Sequence, residues 1–309
     1  MHFTFTFFGG ENMSEDRRII EKYAALSPYQ SSTPIKEVLA DPLIKDFARF
    51  LFPDDWYAPE RYTLASVDHL LPFHSHLRLE TTLAVIEKVR ELRRQKAEVY
   101  YPFGKRVGLF YFPSSTANPF SVISAGGGFS YVGSIHESLP HALVLSELGY
   151  PAFALQYRSG GARMAVEDLA LALATIFEDP ARFGLENLHY TLWGGSAGAR
   201  MAAYLGSYGT ESFGQKACPR ADAVIMEYTG HTDYSAHDPA TFTVVGKQDG
   251  IASWRTMARR LERLRALQIP TEFHAYEGLG HGFGLGIGTS AEGWIMDAIR
   301  FIEKNVGKF

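Results

Sequence analysis

Three stretches of this sequence combine residue types that could do nucleophilic chemistry. The first is Gly194-Gly195-Ser196-Ala197-Gly198, preceded by the alternating, β-favouring run Leu188–Trp193 and followed by the alanine-rich segment Ala199–Leu205. A strand that passes through Gly-x-Ser-x-Gly directly into a helix makes a very tight turn and holds its middle residue in a strained conformation. Small residues at Gly194 and Gly198 avoid the clashes of such a turn, and the strain presents the Ser196 hydroxyl above the sheet edge. A Gly/Ser loop that merely turns the chain is the rival reading; the flanking strand and helix favour a nucleophile.

The second stretch is Val244-Val245-Gly246-Lys247-Gln248-Asp249-Gly250, an apolar strand followed by an acid. Asp249 is placed to orient an imidazole and to stabilise it once charged. Asp-Gly is also a common turn pair, and Asp233 and Asp238 in the preceding loop are rival acids. The third stretch, Glu277-Gly278-Leu279-Gly280-His281-Gly282-Phe283-Gly284, follows the last strand. Its glycines would let His281 approach a nucleophile, against the plainer reading of a flexible surface loop. A fourth piece, Ala125-Gly126-Gly127-Gly128-Phe129, can aim bare backbone N–H groups at the oxyanion of a tetrahedral intermediate, with the Ala197 N–H as a further donor. A turn that needs glycines only for its conformation is the alternative there.

Elements at matching positions must carry these groups. Helices are expected over 15–26, over 35–51 with a break at Asp41-Pro42, and over 78–95, where Leu79, Leu83, Ile86, Val89 and Leu92 share a face. From residue 98 the texture changes. Strands are expected at 98–103, 107–112, 120–124, 151–157, 188–193, 221–228, 241–246 and 271–276. Helices are expected at 136–148, 165–178, after Ser196, at 253–267 with five arginines largely outward, and at 291–305. Strands alternating with helices imply an α/β class: a doubly wound, mostly parallel sheet with helices on both faces. In such a sheet reacting groups gather at the carboxyl ends of the strands. Residues 1–12 are expected to be disordered or to precede the true start, 13–97 to form an N-terminal helical extension, and 98–309 the catalytic domain. The aromatic segment Phe47–Tyr57 carries too many large apolar groups for a bare linker. It either caps the pocket over Ser196, the favoured reading, or packs on the flank or on a second copy of the chain.

The chain has 309 residues, 46% hydrophobic and 21% charged, with a net charge of −4. That balance gives no electrostatic case for a nucleic-acid partner. No apolar run approaches the roughly 20 residues of a membrane span, and the N-terminus lacks a signal peptide's basic region. One cysteine, Cys218, rules out an internal disulfide and fits a reducing, cytoplasmic setting. No metal site is expected: in His136-Glu137-Ser138-Leu139-Pro140-His141 the second histidine is one residue too late for a zinc motif. His74-Ser75-His76 reads as solvated turn residues. Phe129, His136, Glu137 and His231 are candidate pocket residues: His136 and Glu137 either rim the pocket or form a helix N-terminus, and Tyr228–Tyr234 either lines the cavity or is an ordinary polar loop.

With these residues in view, the sequence resembles the α/β-hydrolase superfamily, in the branch of hormone-sensitive-lipase-like and acetyl- or feruloyl-esterase-like enzymes. The likeness covers residues 98–309 and rests on Gly126–Phe129, Tyr157-Arg158, Gly194–Gly198, Asp249 and His281, in that family's order of Ser, Asp and His. It implies an α/β-hydrolase fold, a nucleophile at Ser196, an oxyanion hole at Gly127, Gly128 and Ala197, and an ion pair between Arg158 and Asp168. Ala125 stands where the family has the His of His-Gly-Gly-Gly. The implied activity is hydrolysis of small or medium carboxylic esters through an acyl-enzyme, without metal or organic cofactor. A serine peptidase or amidase of the same fold, and a non-catalytic ligand-binding homologue, are the alternatives.

Overall fold

A computed structural model describes residues 13–53 and 58–306; the expectation for residues 1–12 lies outside them. Among the described residues eight strands form one sheet: β1 (Tyr100–Gly104), β2 (Val107–Phe112), β3 (Phe120–Ser124), β4 (Ala152–Gln156), β5 (Tyr190–Gly195), β6 (Ala223–Glu227), β7 (Ala240–Gly246) and β8 (Thr271–Tyr276). Their spatial order is β1-β2-β4-β3-β5-β6-β7-β8. β1, β2 and β4 pair antiparallel, and every pairing from β4 through to β8 is parallel. The central strands β3, β4, β5 and β6 are buried along their whole length, as a parallel strand covered on both faces must be.

The helices are α1 (Glu15–Ala24), α2 (Ile35–Leu39), α3 (Leu79–Arg94), α4 (Ser138–Glu147), α5 (Ala162–Glu178), α6 (Ala197–Tyr208), α7 (Trp254–Ala266) and α8 (Trp294–Val306). α4 and α8 cover one face, with α1 and α3 stacked outside α4; α5, α6 and α7 cover the other. The break at Asp41-Pro42 is real. α2 stops at Leu39, and the chain resumes as a short 3-10 turn at Ala48–Leu51, because Asp41 turns back to accept the Leu43 N–H at 2.9 Å. The amphipathic reading of α7 holds for Met257, Leu261 and Leu264, but Arg260 points inward and is buried.

Phe47 and Phe50 do not form a cap. Phe47 packs edge-on against Phe110 of β2 at 5.6 Å, and Phe50 stacks on Tyr100 of β1 at 5.1 Å. These rings shield part of the antiparallel edge of the sheet. Trp56 and Tyr57, the other half of that expectation, fall outside the described residues. Among the described residues no helix is long and apolar enough to cross a membrane.

Candidate active site

The turn at Ser196 has the strained geometry expected of it, with φ 50° and ψ −108° in a non-glycine residue. Local crowding explains its neighbours. A Cβ on Gly198 would lie 1.9 Å from the Ser124 carbonyl oxygen, and one on Gly194 would lie 2.3 Å from the Gly198 carbonyl carbon. Only bare backbone lets β5 run into α6 this close to β3. The Ser196 N–H is tied to the Glu227 carbonyl of the neighbouring strand at 2.9 Å, which fixes the turn against the sheet.

His281, on the loop after β8, brings its Nε2 to 2.9 Å from Ser196 Oγ. Its Nδ1 lies 2.7 Å from Asp249 Oδ2. The other oxygen of Asp249 accepts the N–H groups of Ile251 and Ala252, each at 2.7 Å, so the carboxylate is aimed at the imidazole by its own loop. A carboxylate only accepts, so Nδ1 carries the proton and Nε2 is free to receive one from the hydroxyl. Asp233 and Asp238 are engaged elsewhere: Asp233 with Tyr208 at 2.7 Å, Asp238 with Ser207 at 2.6 Å and with Arg260.

The glycine loop stands beside the serine: a Cβ on Gly126 would approach Ser196 Cβ to 2.9 Å. Gly127 has φ 129° and room for no side chain, because a Cβ there would meet the Tyr131 carbonyl oxygen at 2.2 Å. Among the described residues, the N–H groups of Gly127, Gly128 and Ala197 donate no hydrogen bond. Ala125 has no imidazole to anchor this loop. Its carbonyl accepts the Tyr157 hydroxyl at 2.7 Å, and the next N–H, that of Gly126, donates to the Glu137 carboxylate.

The candidate pocket residues separate. Phe129, half-buried with φ 60°, stays on the glycine loop, where its carbonyl accepts the Gly160 N–H at 2.6 Å. His136 and Glu137 are buried and do not rim a pocket; Glu137 is the N-cap residue of α4, in line with the alternative reading of a helix N-terminus. His136 donates from Nε2 to the Gly282 carbonyl at 3.0 Å; burial, aided by the neighbouring His74, pulls its pKa down to about 3. Burial alone would raise the Glu137 pKa, but His74 and the Gly126 N–H outweigh it and hold the carboxyl at about 2. His231 lies against the Tyr204 ring of α6 at 4.6 Å, and burial with Arg260 and Arg200 nearby lowers its pKa to about 3. Arg158 and Asp168 do pair, with Nη2 to Oδ1 at 2.6 Å. Among the described residues no group of three or more His, Cys, Asp or Glu is arranged to hold a metal ion.

The sequence assigns no role to four further residues at the site. His74, expected on a solvated turn, has its side chain buried, with Nε2 3.0 Å from Glu137 Oε1. Ser75 donates to the His281 carbonyl at 2.5 Å, and its N–H to the Gly282 carbonyl at 2.9 Å. Tyr131 bonds His74 Nδ1 at 3.0 Å. Tyr228 bonds Glu137 at 2.8 Å, and its ring meets the His281 ring edge-on at 5.1 Å. His74, Ser75 and Tyr131 sit on loops whose sequence says only that they turn; Tyr228 opens the loop after β6, which the sequence also allows to line the cavity.

No family model matches the sequence, and no curated protein matches it. Solved structures do match in shape. An acetyl ester-xyloside bifunctional hydrolase from Caldicellulosiruptor lactoaceticus is 19% identical with a TM-score of 0.57, over 66% of this chain and 89% of that one. MGS-M1, an alpha/beta hydrolase enzyme from a Medee basin deep-sea metagenome library, is 21% identical with a TM-score of 0.57, over 67% and 96%. Thermogutta terrifontis esterase 2, in a structure phosphorylated by paraoxon, is 18% identical with a TM-score of 0.58, over 66% and 91%.

Proposed function

We propose that this chain, which has the α/β-hydrolase fold, is a serine hydrolase that cleaves carboxylic esters of small or medium acyl groups through an acyl-enzyme at Ser196. The observation that carries the reading is the His281 imidazole held between Ser196 Oγ at 2.9 Å and Asp249 Oδ2 at 2.7 Å. Likeness to proteins described as esterases and as an acetyl ester hydrolase supports the reaction class.

In this reading Ser196 Oγ attacks the ester carbonyl carbon while His281 Nε2 takes the hydroxyl proton, and Asp249 holds the imidazole in the tautomer that can receive it. The carbonyl oxygen becomes an oxyanion, bonded by the N–H groups of Gly127, Gly128 and Ala197; losing one such donor costs about 3–4 kcal/mol in the barrier. The carbon–oxygen bond to the alcohol breaks, and the alcohol leaves with the proton from His281. A water then gives a proton to the same nitrogen as it attacks the acyl carbon, and the acid departs as Ser196 regains its proton.

Labelling with a fluorophosphonate tests the reading directly: wild type reacts and Ser196→Ala does not. A panel of p-nitrophenyl esters of increasing acyl length, with an amide analogue beside it, then reads the substrate class. Faster turnover of the amide would move the assignment to an amidase. Labelling and hydrolysis that persist in Ser196→Ala would overturn it.

A further inference from the structure

Glu137 is a buried carboxylate to which the acyl-transfer steps assign no part. It is the N-cap residue of α4, with 1% of its surface exposed, and it lies behind the serine turn, where a Cβ on Gly195 would come within 2.6 Å of its Oε2. Burying a charge is costly unless hydrogen bonds replace its water. Here three do. The Gly126 N–H donates to Oε2, the Tyr228 hydroxyl to Oε1 at 2.8 Å, and His74 Nε2 to Oε1 at 3.0 Å.

Each of those donors belongs to a different part of the site. Gly126 opens the glycine loop whose next two N–H groups face the developing oxyanion. Tyr228 accepts the Gly284 N–H at 3.2 Å and so reaches the His281 loop. His74 lies on a strap between the 3-10 turn at Leu64–Leu70 and α3, within the N-terminal extension. The strap is itself fastened, with the Phe73 N–H on the Tyr131 hydroxyl at 3.1 Å and Ser75 on the carbonyls of His281 and Gly282. One carboxylate therefore ties together the glycine loop, the histidine loop and a segment 63 residues earlier in the chain.

We propose that Glu137 is the positioning residue for the glycine loop, setting Gly127 and Gly128 through the Gly126 N–H, and that His74 holds Glu137 in that pose, so the N-terminal strap supplies part of the active site. The inference rests on the reading of Ser196 as nucleophile. It accounts for Ala125, since the loop is held from behind by a carboxylate where the family uses a side chain of the loop itself. A stability role alone would leave the chemistry of the folded protein untouched. Loss of loop position instead weakens whatever must be stabilised at the oxyanion.

The test uses the full chain with Glu137→Gln, His74→Ala, His74→Gln and Ser196→Ala. Glu137→Gln keeps the size but loses the charge and leaves an amide N–H₂ among donors. His74→Gln can still donate from Nε2, whereas His74→Ala cannot. Readouts are the fluorophosphonate labelling rate, inhibition by a trifluoromethyl ketone that forms an oxyanion on the serine, and kcat and KM on a p-nitrophenyl ester, all per folded molecule. Glu137→Gln is expected to lower kcat, labelling rate and ketone affinity together by about 100-fold, with KM little changed. His74→Ala should follow by about 10-fold or more, and His74→Gln should recover much of the loss. Folded Glu137→Gln and His74→Ala that match wild type in labelling and ketone affinity would overturn the inference. So would variants that lose thermal stability only. Should Glu137→Gln not fold, the His74 pair decides by the same criteria. Labelling that survives Ser196→Ala overturns the reading underneath; labelling lost there but unchanged in the other variants overturns this inference alone.

Discussion

Asp238 and Arg260 form a buried ion pair across the loop after β6 and the middle of α7, with 1% and 3% of their side chains exposed. Asp238 also accepts the Ser207 hydroxyl of α6 at 2.6 Å and the Ser235 N–H at 2.8 Å, while Arg260 Nε donates to the Asp233 carbonyl at 2.8 Å. The pair closes the α6–α7 flank beneath the loop that follows β6.

Removing one member of such a pair leaves the other as an uncompensated interior charge. Asp238→Ala should cost about 3–5 kcal/mol, read as a drop in the denaturant midpoint. A change within the range of an ordinary surface substitution, about 0.5 kcal/mol, would show that water reaches Arg260.

Asp249→Asn keeps the shape of the acid. Its remaining oxygen can still accept from Ile251 and Ala252, but an N–H₂ group would then face His281 Nδ1 and favour the tautomer that cannot take the Ser196 proton. Ester turnover should fall by about 10⁴-fold with little loss of stability. Turnover within about tenfold of wild type would mean that the carboxylate does not set the imidazole.

Gly198→Ala places a Cβ 1.9 Å from the Ser124 carbonyl oxygen, a backbone atom that cannot rotate away. The turn must shift, and a loss of about 3 kcal/mol or more is expected together with loss of Ser196 labelling. Gly161→Ala is the comparison, with nothing within 4 Å of the added carbon. Equal tolerance of the two substitutions would show that β5 and α6 are not locked against β3.

His231 is kept neutral, its pKa lowered from 6.5 to about 3 by burial first and by Arg260 and Arg200 next. Between those values the unfolded chain binds a proton at this site that the native protein does not. The stability linked to His231 is therefore intact above about pH 6.5 and falls toward pH 3, by roughly 1.4 kcal/mol per pH unit. Denaturation of wild type and His231→Phe across that range isolates the contribution, because other groups cancel in the difference. A difference that does not vary with pH would place a protonated imidazole at this position.

Much of the architecture is local and was legible as such. Phe120–Ser124 and Thr271–Tyr276 are strands at the residues expected, because a short apolar or β-branched run has few other places to go in an α/β chain. The strained turn at Ser196 could be anticipated because strand, glycines and helix lie side by side in the sequence. Ends set by tertiary packing moved instead: α8 starts at Trp294, after a turn closed by the Trp294 N–H on the Ala291 carbonyl at 3.1 Å.

Convergence over long separations is what the folded chain alone decides. A place just after a strand favours Asp249 over Asp238, but only the fold decides between them: the first reaches His281 and the second is taken by Arg260, because β7 ends beside the histidine loop while the preceding loop ends over α7. No periodicity marks His74, which reaches Glu137 only because the strap crosses to the glycine loop. Residue type and spacing determine which groups each strand end offers. Which of them touch depends on sheet order and on loops whose course is set by burial, where an unpaired polar group is too costly to leave unmatched.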